Sequence, residues 1–443
     1  MEYFDTIVIG GGVLGCFAAR NMCRWKLSVL LIEAAEDVCT GITRANSAIV
    51  YAGYDMKPGT RKAEMTVRAN ASFDRLCAEL EVPFSRRGSL MVCSGPKGYE
   101  SLKRKLEAGR ENQVPGLVLL SGEEARELEP MLSPDVTAAL YAPSTGTVNP
   151  WLLGIAAYEN AMKNGCQPQM NTHVTNIQKT QDGYCVETDK GSFSCRAIVN
   201  CAGFHAAEIQ NMIYPGDTAI RTDAADYLVM DSMIRTPRYI IFEETETGKG
   251  ITAVPCVEGN LLLESPARTL EIPFASNRES MEFTKRAASG LFPSLDTGAV
   301  IRSFGAVRPN PHRTDGSSIH DFCIEEPAPD FISFIGIKTP GLTCANELGL
   351  YAAGRIAEAL SAMPNPDFDP HRPAISAGDD QIVCQCGQVT KGQILEAIRR
   401  GAATVEGVKR RVGTGMGNCQ GSRCGWRIAK ILKETGIDPD PVF

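Results

Sequence analysis

Four cysteines near the end of the chain have the spacing of a metal-binding site. They form two pairs, Cys384-x-Cys386 and Cys419-x-x-x-x-Cys424. Four thiolates brought together from two loops can hold a 2Fe-2S cluster or a zinc ion. The remaining cysteines are scattered without ligand spacing, which is typical of core and surface thiols in a reducing compartment rather than of a secreted disulfide framework.

A glycine-rich turn near the N-terminus has the pattern of a dinucleotide-binding site. Gly10, Gly12 and Gly15 lie between an apolar run and a helical pattern at residues 13–25, and a second apolar run ends in Glu33. In such a turn the glycines permit the bend, the approach of a pyrophosphate and close packing of helix on strand. The helix N-terminus attracts phosphates. A terminal carboxylate accepts hydrogen bonds from a ribose and argues against the 2′-phosphate of NADP.

Three later segments are predicted to approach a flavin, which favours FAD over NAD. Residues 40–47 are small and polar, residues 197–203 form an apolar strand ending in glycine, and residues 335–343 form a glycine-rich turn that opens a helix. The dipole of that helix and Lys338, unless it is an ordinary surface lysine, would stabilise the reduced flavin. The predicted cofactor-binding residues are Gly10, Gly12, Val13, Leu14, Gly15, Glu33, Ala34, Thr43, Arg44, Ala45, Asn46, Ser47, Val174, Ala202, Gly203, Gly336, Lys338, Gly341, Leu342 and Thr343.

The elements that must position these residues follow from the apolar pattern. Residues 4–9 and 27–32 are apolar runs typical of buried parallel strands. Residues 167–178 predict one further strand and residues 186–189 another. Residues 364–381 contain four prolines and little periodicity, and therefore predict a linker.

The C-terminal cysteines are predicted to lie among short helices. Thr390 and Gln393 form a capping-box pattern, Gly401 suits the end of that helix, and Thr404 can cap the next one. A third helix is predicted over residues 421–435.

A cluster of basic residues accompanies these helices. A solvated face is the ordinary interpretation of such a cluster, and a second one is that its last three members offset thiolate charge. The cluster consists of Arg399, Arg400, Lys409, Arg410 and Arg411.

Several segments, in collinear order, resemble one family of flavoproteins. The glycine turn, the TRANSAIVYAGYD run from Thr43, the RSFGAVRP run from Arg302 and the turn before Thr343 are similar to the FAD-dependent glycerol-3-phosphate and L-2-hydroxyglutarate dehydrogenases, which are D-amino-acid-oxidase-like. The C-terminal cysteines make the likeness greatest to the anaerobic glycerol-3-phosphate dehydrogenase large subunit. The VKRRVGTGMGNCQGSRC run resembles bacterioferritin-associated-ferredoxin-like domains, which favours 2Fe-2S over zinc.

The resemblance implies an α/β and α+β fold: a Rossmann-like FAD domain interleaved with an antiparallel-sheet substrate domain, followed by a small helical iron–sulfur domain. We expect the FAD domain to contain residues 1–83, 146–214 and 326–363. The substrate domain is expected at 84–145 and 215–325, the linker at 364–381 and the 2Fe-2S domain at 382–443.

The substrate is expected to be held by Arg308, where the resembling family has an anion-binding arginine, although a structural salt bridge is the alternative role. A guanidinium binds a carboxylate or phosphate with two parallel hydrogen bonds. His312 follows four residues later, and Tyr51 and Glu258 stand where many relatives have histidine. These three are the candidates for proton transfer, with packing or an exposed position as the alternative for each.

The sequence as a whole predicts an FAD-dependent dehydrogenase that oxidises a small anionic hydroxy substrate and passes electrons through the cluster to an acceptor protein, in a hetero-oligomer. An amine or imino-acid dehydrogenase subunit and a non-catalytic electron-transfer subunit are the alternatives. The formal net charge of −7 argues against nucleic acid as a partner. The absence of a leader and of a long apolar run predicts a cytoplasmic protein that reaches the inner membrane, if at all, through a partner.

Overall fold

The computed structural model describes residues 2–270, 272–373 and 378–439. Part of the predicted linker, at 374–377, and the end of the predicted 2Fe-2S domain, at 440–443, lie outside the described residues. Within the described part of the chain, no helix is long and apolar enough to cross a lipid bilayer.

The strands of the described chain are numbered here in order. They are β1 Glu2–Ile9, β2 Val29–Ile32, β3 Ile49–Val50, β4 Phe84–Ser85, β5 Ser89–Cys93, β6 Val118–Ser121, β7 Ala138–Ala142, β8 Gly146–Val148, β9 Gln167–Gln169, β10 Val174–Thr180, β11 Gly183–Thr188, β12 Gly191–Asn200, β13 Thr218–Met230, β14 Ile240–Thr245, β15 Gly248–Pro255, β16 Leu261–Glu264, β17 Arg268–Thr269, β18 Val300–Arg313, β19 Cys323–Ala328, β20 Phe331–Ile335, β21 Ile382–Cys384 and β22 Val389–Thr390.

The α-helices are numbered in the same way, and two short 3₁₀ turns lie at Ile42–Arg44 and Gly203–His205. The helices are α1 Val13–Met22, α2 Arg61–Leu80, α3 Pro96–Glu111, α4 Gly122–Leu128, α5 Pro150–Lys163, α6 Ala206–Asn211, α7 Arg278–Leu291, α8 Gly341–Leu360, α9 Lys391–Arg399, α10 Val405–Val412 and α11 Gly425–Glu434.

A parallel sheet with the order β9-β2-β1-β12-β20 forms the first layer. The hairpin of β10 and β11 continues from the first half of β12, and β19 pairs with β20. Strand β1 is buried because α1, α5 and α8 cover the sheet with apolar side chains. A Cβ at Gly349 of α8 would lie 2.8 Å from the backbone of Phe17 in α1, so this glycine permits close packing of the two helices.

The carboxyl ends of the parallel strands meet at one edge of this sheet. Ile9 is level with Ile32 on one side and with Asn200 on the other. The glycine turn, Glu33 and the segment after β12 therefore emerge side by side, which is where open α/β sheets bind ligands.

A second, mostly antiparallel sheet has the order β17-β13-β16-β15-β14-β5-β7-β6, with β18 on the other side of β13. One face carries its own apolar core, and α7 and α4 pack there. The opposite face turns toward the first layer and contains the second half of β18. The predicted domain boundaries stay a prediction.

The C-terminal residues form a small unit of β21, β22, α9, α10 and α11 around a core of its own. The Thr390–Gln393 capping box is present, with both reciprocal hydrogen bonds, and Thr404 caps α10. Gly401 has a φ of +97°, a left-handed conformation that suits the residue after a helix.

The basic cluster is not a solvated face as a whole. The Arg399 side chain is 66% exposed, but the prediction was wrong for Arg400, Arg410 and Arg411. The side chains of Arg400, Arg410 and Arg411 are 7%, 8% and 2% exposed. They bind acidic residues of the first layer, Asp37 after β2 and Glu159 in α5. The prediction that Lys409, Arg410 and Arg411 offset thiolate charge stays a prediction.

Several predicted elements differ in extent from the observed ones, among them the strand predicted at 186–189, observed as β11, and the helix predicted at 421–435, observed as α11. The first helix ends at Met22, because the chain turns there and Lys26 N–H bonds to the carbonyl of Met363. The second strand starts at Val29. Residues 167–178 form β9 and β10 rather than one strand, because Asn171 has a φ of +51° and Thr172 N–H bonds to the carbonyl of Glu33.

Candidate active site and cofactor sites

A cavity of about 1030 Å³ begins at the carboxyl edge of the parallel sheet and reaches the second sheet. Most of the predicted site residues line it: Gly10, Gly12, Val13, Leu14, Glu33, Ala34, Thr43, Ala45, Asn46, Ser47, Tyr51, Val174, Ala202, Gly203, Arg308, Lys338, Gly341 and Leu342. Gly15, Arg44, Glu258, His312, Gly336 and Thr343 are predicted residues outside the lining. One cavity thus joins the three segments predicted to approach a flavin.

The glycine turn is shaped by contacts that exclude side chains. Gly10 has a φ of +101°, and a Cβ there would lie 2.5 Å from the carbonyl oxygen of Cys201. At Gly15 a Cβ would lie 1.8 Å from the carbonyl oxygen of Gly10. Gly12, the first residue before α1, brings no side chain to cap the helix. Its neighbour Val13 donates its N–H to the Thr43 hydroxyl at 3.0 Å.

Glu33 is held at the end of β2 by two backbone donors. Gly11 N–H donates to its Oε2 at 2.5 Å, and Ala35 N–H to its Oε1 at 2.8 Å. A carboxylate has further lone pairs on both oxygens, so the side chain can still accept hydrogen bonds from a ribose. The turn, the helix N-terminus, the fixed carboxylate and the volume of the cavity together fit FAD.

Several predicted residues support the cavity without lining it. The Thr343 hydroxyl accepts the Tyr51 N–H at 3.0 Å, which fixes the first flavin loop against α8. The Arg44 guanidinium lies 4.4 Å from the centre of the Phe274 ring and points away from the cavity lining. Gly336 has a φ of +62° and packs against Pro311.

Arg308 lies in the cavity on β18 and is paired with a carboxylate that the sequence reasoning missed. Its Nη2 donates to Oε1 of Glu264, the last residue of β16, and Lys249 Nζ lies 3.3 Å from the same oxygen. Burial acts to raise the pKa of Glu264, but the charges of Lys249 and Arg308 outweigh burial and hold the pKa below its usual value. The pair therefore stays ionised near neutral pH.

Burial also fixes the protonation of the tyrosines beside this pair. It raises the pKa of Tyr51 and of Tyr227 above the usual range, so both hydroxyls remain protonated. Tyr51 can donate a hydrogen bond in the cavity, but it is not a base at neutral pH.

The other two candidates for proton transfer do not lie at the cavity. His312 follows Arg308 on the same strand, and four residues of a strand span about 13 Å. Glu258 is exposed in the turn after β15, where it accepts a hydrogen bond from Asn149 Nδ2 at 2.6 Å. Lys338 lines the cavity and donates to Asn310 Oδ1 at 2.5 Å, and burial lowers the pKa of its amine.

The missed carboxylate had a signal in the sequence. Glu264 follows Leu261–Leu263 directly, and a carboxylate that continues a buried apolar strand requires a partner. Lys249 and Tyr227 gave no signal of their own, because their approach to Arg308 depends on the order of β13, β15 and β18 in the second sheet.

The four C-terminal cysteines approach each other as two pairs. Cys386 Sγ and Cys419 Sγ are 3.8 Å apart, and the thiols of Cys384 and Cys424 lie close to each other. A Cβ at Gly417 would lie 2.9 Å from Cys386 Sγ, so glycine leaves room beside this thiol.

The described residues contain no group of three or more His, Cys, Asp or Glu side chains arranged around a single metal ion. Two pairs of thiols instead fit a two-iron cluster, in which each iron takes two protein ligands. Cys386 is exposed and Cys419 is half-buried, so one pair lies at the protein surface.

Comparison with known proteins agrees with this geometry. Residues 5–355 match the model of the family described as FAD dependent oxidoreductase, and residues 382–434 match the BFD-like [2Fe-2S] binding domain. The chain belongs to the FAD-dependent oxidoreductase family, and it carries a 2Fe-2S-binding domain at its C-terminal end.

Within that family the chain is glycerol-3-phosphate dehydrogenase-like. It is 37% identical over 464 residues to a glycerol 3-phosphate dehydrogenase of Caloramator mitchellensis, covering 98% of this chain and 95% of the relative. It is 25% identical to the anaerobic glycerol-3-phosphate dehydrogenase subunit A1 of Haloferax volcanii, with 97% and 82% covered. The FAD-bound L-alpha-glycerophosphate oxidase of Mycoplasma pneumoniae superimposes with a TM-score of 0.78 at 26% identity, over 85% of this chain and 100% of the oxidase.

Proposed function

We propose that this protein oxidises a small anionic hydroxy compound, with glycerol 3-phosphate as the first candidate. The observation that carries the proposal is the position of Arg308 in the same cavity as the glycine turn and the flavin loops. An arginine there can hold a phosphate or carboxylate while the adjacent carbon faces the cofactor. The names of the relatives that share most of the chain's length support the same substrate class.

Bound FAD would take a hydride from the carbinol carbon. The chain supplies the remaining functions. Arg308 and Lys249 attract the anionic group, and Tyr51 offers a hydroxyl that stays protonated. The second sheet closes one side of the cavity and limits the access of water.

We further propose that the electrons leave through the 2Fe-2S domain to a partner protein in a hetero-oligomeric complex. Cys386 and Cys419 lie at or near the surface, so a partner can approach that side of the cluster. The Haloferax relative is named as a subunit, which supports a partner for this chain as well. Contact with the inner membrane would then be made through the partner.

A second candidate substrate is favoured by one specific observation. The buried carboxylate of Glu264 stands beside Arg308, and opposite charges in one cavity match the two charges of an amino acid. Oxidation of an amine is therefore tested alongside oxidation of a hydroxy compound.

The test is an anaerobic titration of the holoprotein with glycerol 3-phosphate, L-2-hydroxyglutarate and a panel of amino acids, followed by the visible spectrum. Bleaching of the flavin by a hydroxy compound, with reduction of the cluster after it, is the expected result. Bleaching by amino acids alone would show that the substrate is an amine rather than a hydroxy compound. The absence of bleaching by any compound would contradict the proposed activity.

Arg308→Lys tests whether the Arg308 guanidinium binds the anionic group of the substrate. The lysine ammonium keeps the positive charge beside Glu264 but cannot form the bidentate hydrogen bonds of a guanidinium. We expect KM to rise about tenfold with kcat little changed, because one charge-assisted hydrogen bond is worth about 1.5 kcal/mol. Arg302→Lys is the matched control, since Arg302 is an exposed arginine on the same strand. Equal KM values for both variants would show that Arg308 does not bind the anionic group of the substrate.

A further inference from the structure

Glu264 is a buried carboxylate whose two oxygens differ: one is held in ion pairs and the other accepts no hydrogen bond from the described residues. Its side chain is 3% exposed, and Oε1 is bound by Arg308 and Lys249. Oε2 is buried and has no hydrogen-bond partner in bonding geometry among the described residues. A buried carboxylate oxygen without a donor is costly and calls for an explanation, although the Tyr227 hydroxyl lies near the carboxylate. Glu264 lines the cavity, and a ligand that displaces its side chain from Arg308 would bring this oxygen a donor.

The carboxylates Asp55, Asp223, Glu243 and Glu244 also line the cavity, but Glu264 is the one paired with Arg308. The Tyr51 and Tyr227 hydroxyls stay protonated because burial raises their pKa. Two histidines line the cavity elsewhere. His205 bonds to Glu208 at 2.8 Å, and His173 follows Thr172, whose backbone bonds to Glu33 at the ribose side. Glu264 is the carboxylate in direct contact with the arginine that would bind the substrate.

We infer that Glu264 is the catalytic base, and that the substrate's anionic group replaces it on Arg308 before the reaction. The inference rests on the proposed function. In the step, the carbinol O–H bond breaks and its proton goes to Glu264 Oε2. The C–H bond breaks and its electron pair leaves with the hydrogen as hydride to FAD. The C–O bond becomes C=O, and the carbonyl product leaves.

The exchange on Arg308 explains how a paired carboxylate becomes a base. Before binding, Arg308 on β18 and Lys249 on β15 favour the ionised form of Glu264, and Tyr227 on β13 faces the same carboxylate. When the substrate anion takes the guanidinium, Glu264 keeps its burial but loses a positive neighbour. Its affinity for a proton then rises, which prepares the ionised carboxylate to take the carbinol proton.

The experiment compares the wild-type holoprotein with Glu264→Gln. Flavin reduction by the hydroxy substrate is measured over a range of pH, because a base must be ionised before it can accept a proton. The wild-type rate is expected to fall at acid pH, whereas Glu264→Gln is expected to lose this dependence and to bind inorganic phosphate about tenfold tighter, since no carboxylate competes for Arg308. Flavin reduction by the hydroxy substrate should slow by at least about 100-fold in the variant.

A control variant at another carboxylate and a test of folding show whether an effect is specific to Glu264. Glu347→Gln also removes a mostly buried carboxylate, which pairs with the exposed Arg68 at 3.0 Å, but Glu347 lies outside the cavity and the variant should behave as wild type. The FAD content and melting temperature of each variant verify that it is folded.

The outcomes separate the inference from the proposed function. Flavin bleaching at equal rates in wild type and Glu264→Gln, or the same pH dependence of bleaching in the two, overturns the role of Glu264 and leaves the proposed function standing. Failure of every hydroxy compound to bleach the wild-type flavin overturns the proposed function. It also overturns the inferred transfer of the carbinol proton to Glu264.

Discussion

The three glycines of the first turn differ in what surrounds their missing Cβ atoms. At Gly15 the nearest atom is a backbone carbonyl oxygen at 1.8 Å, which cannot move without breaking the turn. At Gly12 the nearest atom is the Thr43 hydroxyl oxygen at 3.5 Å, an ordinary contact, and its φ of −67° suits any residue. The protein itself thus tolerates a methyl group at Gly12, and the expected obstacle there is the cofactor.

This difference gives a matched pair of variants at the residue scale. Gly12→Ala is expected to leave the melting temperature of the FAD-free protein unchanged and to weaken FAD binding at least about tenfold, or about 1.4 kcal/mol. Gly15→Ala is expected to prevent folding or to lower the melting temperature strongly. Fluorescence titration with FAD and thermal unfolding make the comparison. Wild-type FAD affinity in Gly12→Ala would contradict a pyrophosphate at this glycine.

At the residue scale, the sequence predicts a site residue well when the residues that define its role lie close to it in the sequence. The glycine turn and Glu33 belong to one strand–helix–strand unit, so their spacing alone indicates their roles. The pairing of Glu264 with Arg308 depends instead on strands β16 and β18 flanking β13, and no local pattern encodes that order. His312 illustrates the same limit, because closeness in sequence on a strand is not closeness in space.

At the scale of elements, the short helices of the C-terminal unit were predictable from their caps. The Thr390 hydroxyl accepts the Gln393 N–H at 3.2 Å, and the Gln393 side chain accepts the Thr390 N–H at 2.9 Å. Strand lengths were less predictable. The break between β9 and β10 follows from the bond between Thr172 and Glu33, which no periodicity shows.

The cap at Thr390 predicts a measurable loss of stability. Thr390→Ala is expected to lower the free energy of unfolding of the C-terminal unit by about 1 kcal/mol, because the orphan N–H groups of α9 lose their acceptor. Urea unfolding followed by the absorbance of the cluster measures the change. Thr390→Ser keeps the hydroxyl and should recover most of the loss, and equal instability of both variants would contradict capping as the cause.

At the scale of the whole molecule, a buried charge network joins the C-terminal unit to the first layer. Asp37 accepts hydrogen bonds from Arg410 and Arg411 at 2.6–3.0 Å. Glu159 accepts them from Arg372 and Arg400 at 2.6 and 2.7 Å. The partners lie hundreds of residues apart in sequence, which is why the basic cluster was predicted to be solvated. Their burial fixes the cluster-binding unit in one orientation on the FAD-binding layer.

Asp37→Asn therefore tests whether the two units are held together by charge. Removing this carboxylate leaves Arg410 buried without its counter-ion and Arg411 with Glu159 at 4.0 Å, so we expect unfolding to become easier by about 3 kcal/mol at pH 7. Burial acts to raise the pKa of Asp37, but the two arginines hold it below the usual value. This stabilisation is therefore fully present above about pH 4, near the unfolded pKa of an aspartate, and is lost as the pH falls further.

Urea unfolding of both proteins at several pH values makes this comparison. Glu406→Gln is the matched control, since its carboxylate is 54% exposed and lies 3.4 Å from Lys409, and exposed pairs of this kind contribute at most about 1 kcal/mol. A loss in Asp37→Asn no larger than in the control would mean that apolar packing alone holds the units together. A loss that persists unchanged below the unfolded pKa of aspartate would exclude the ionised carboxylate as its source.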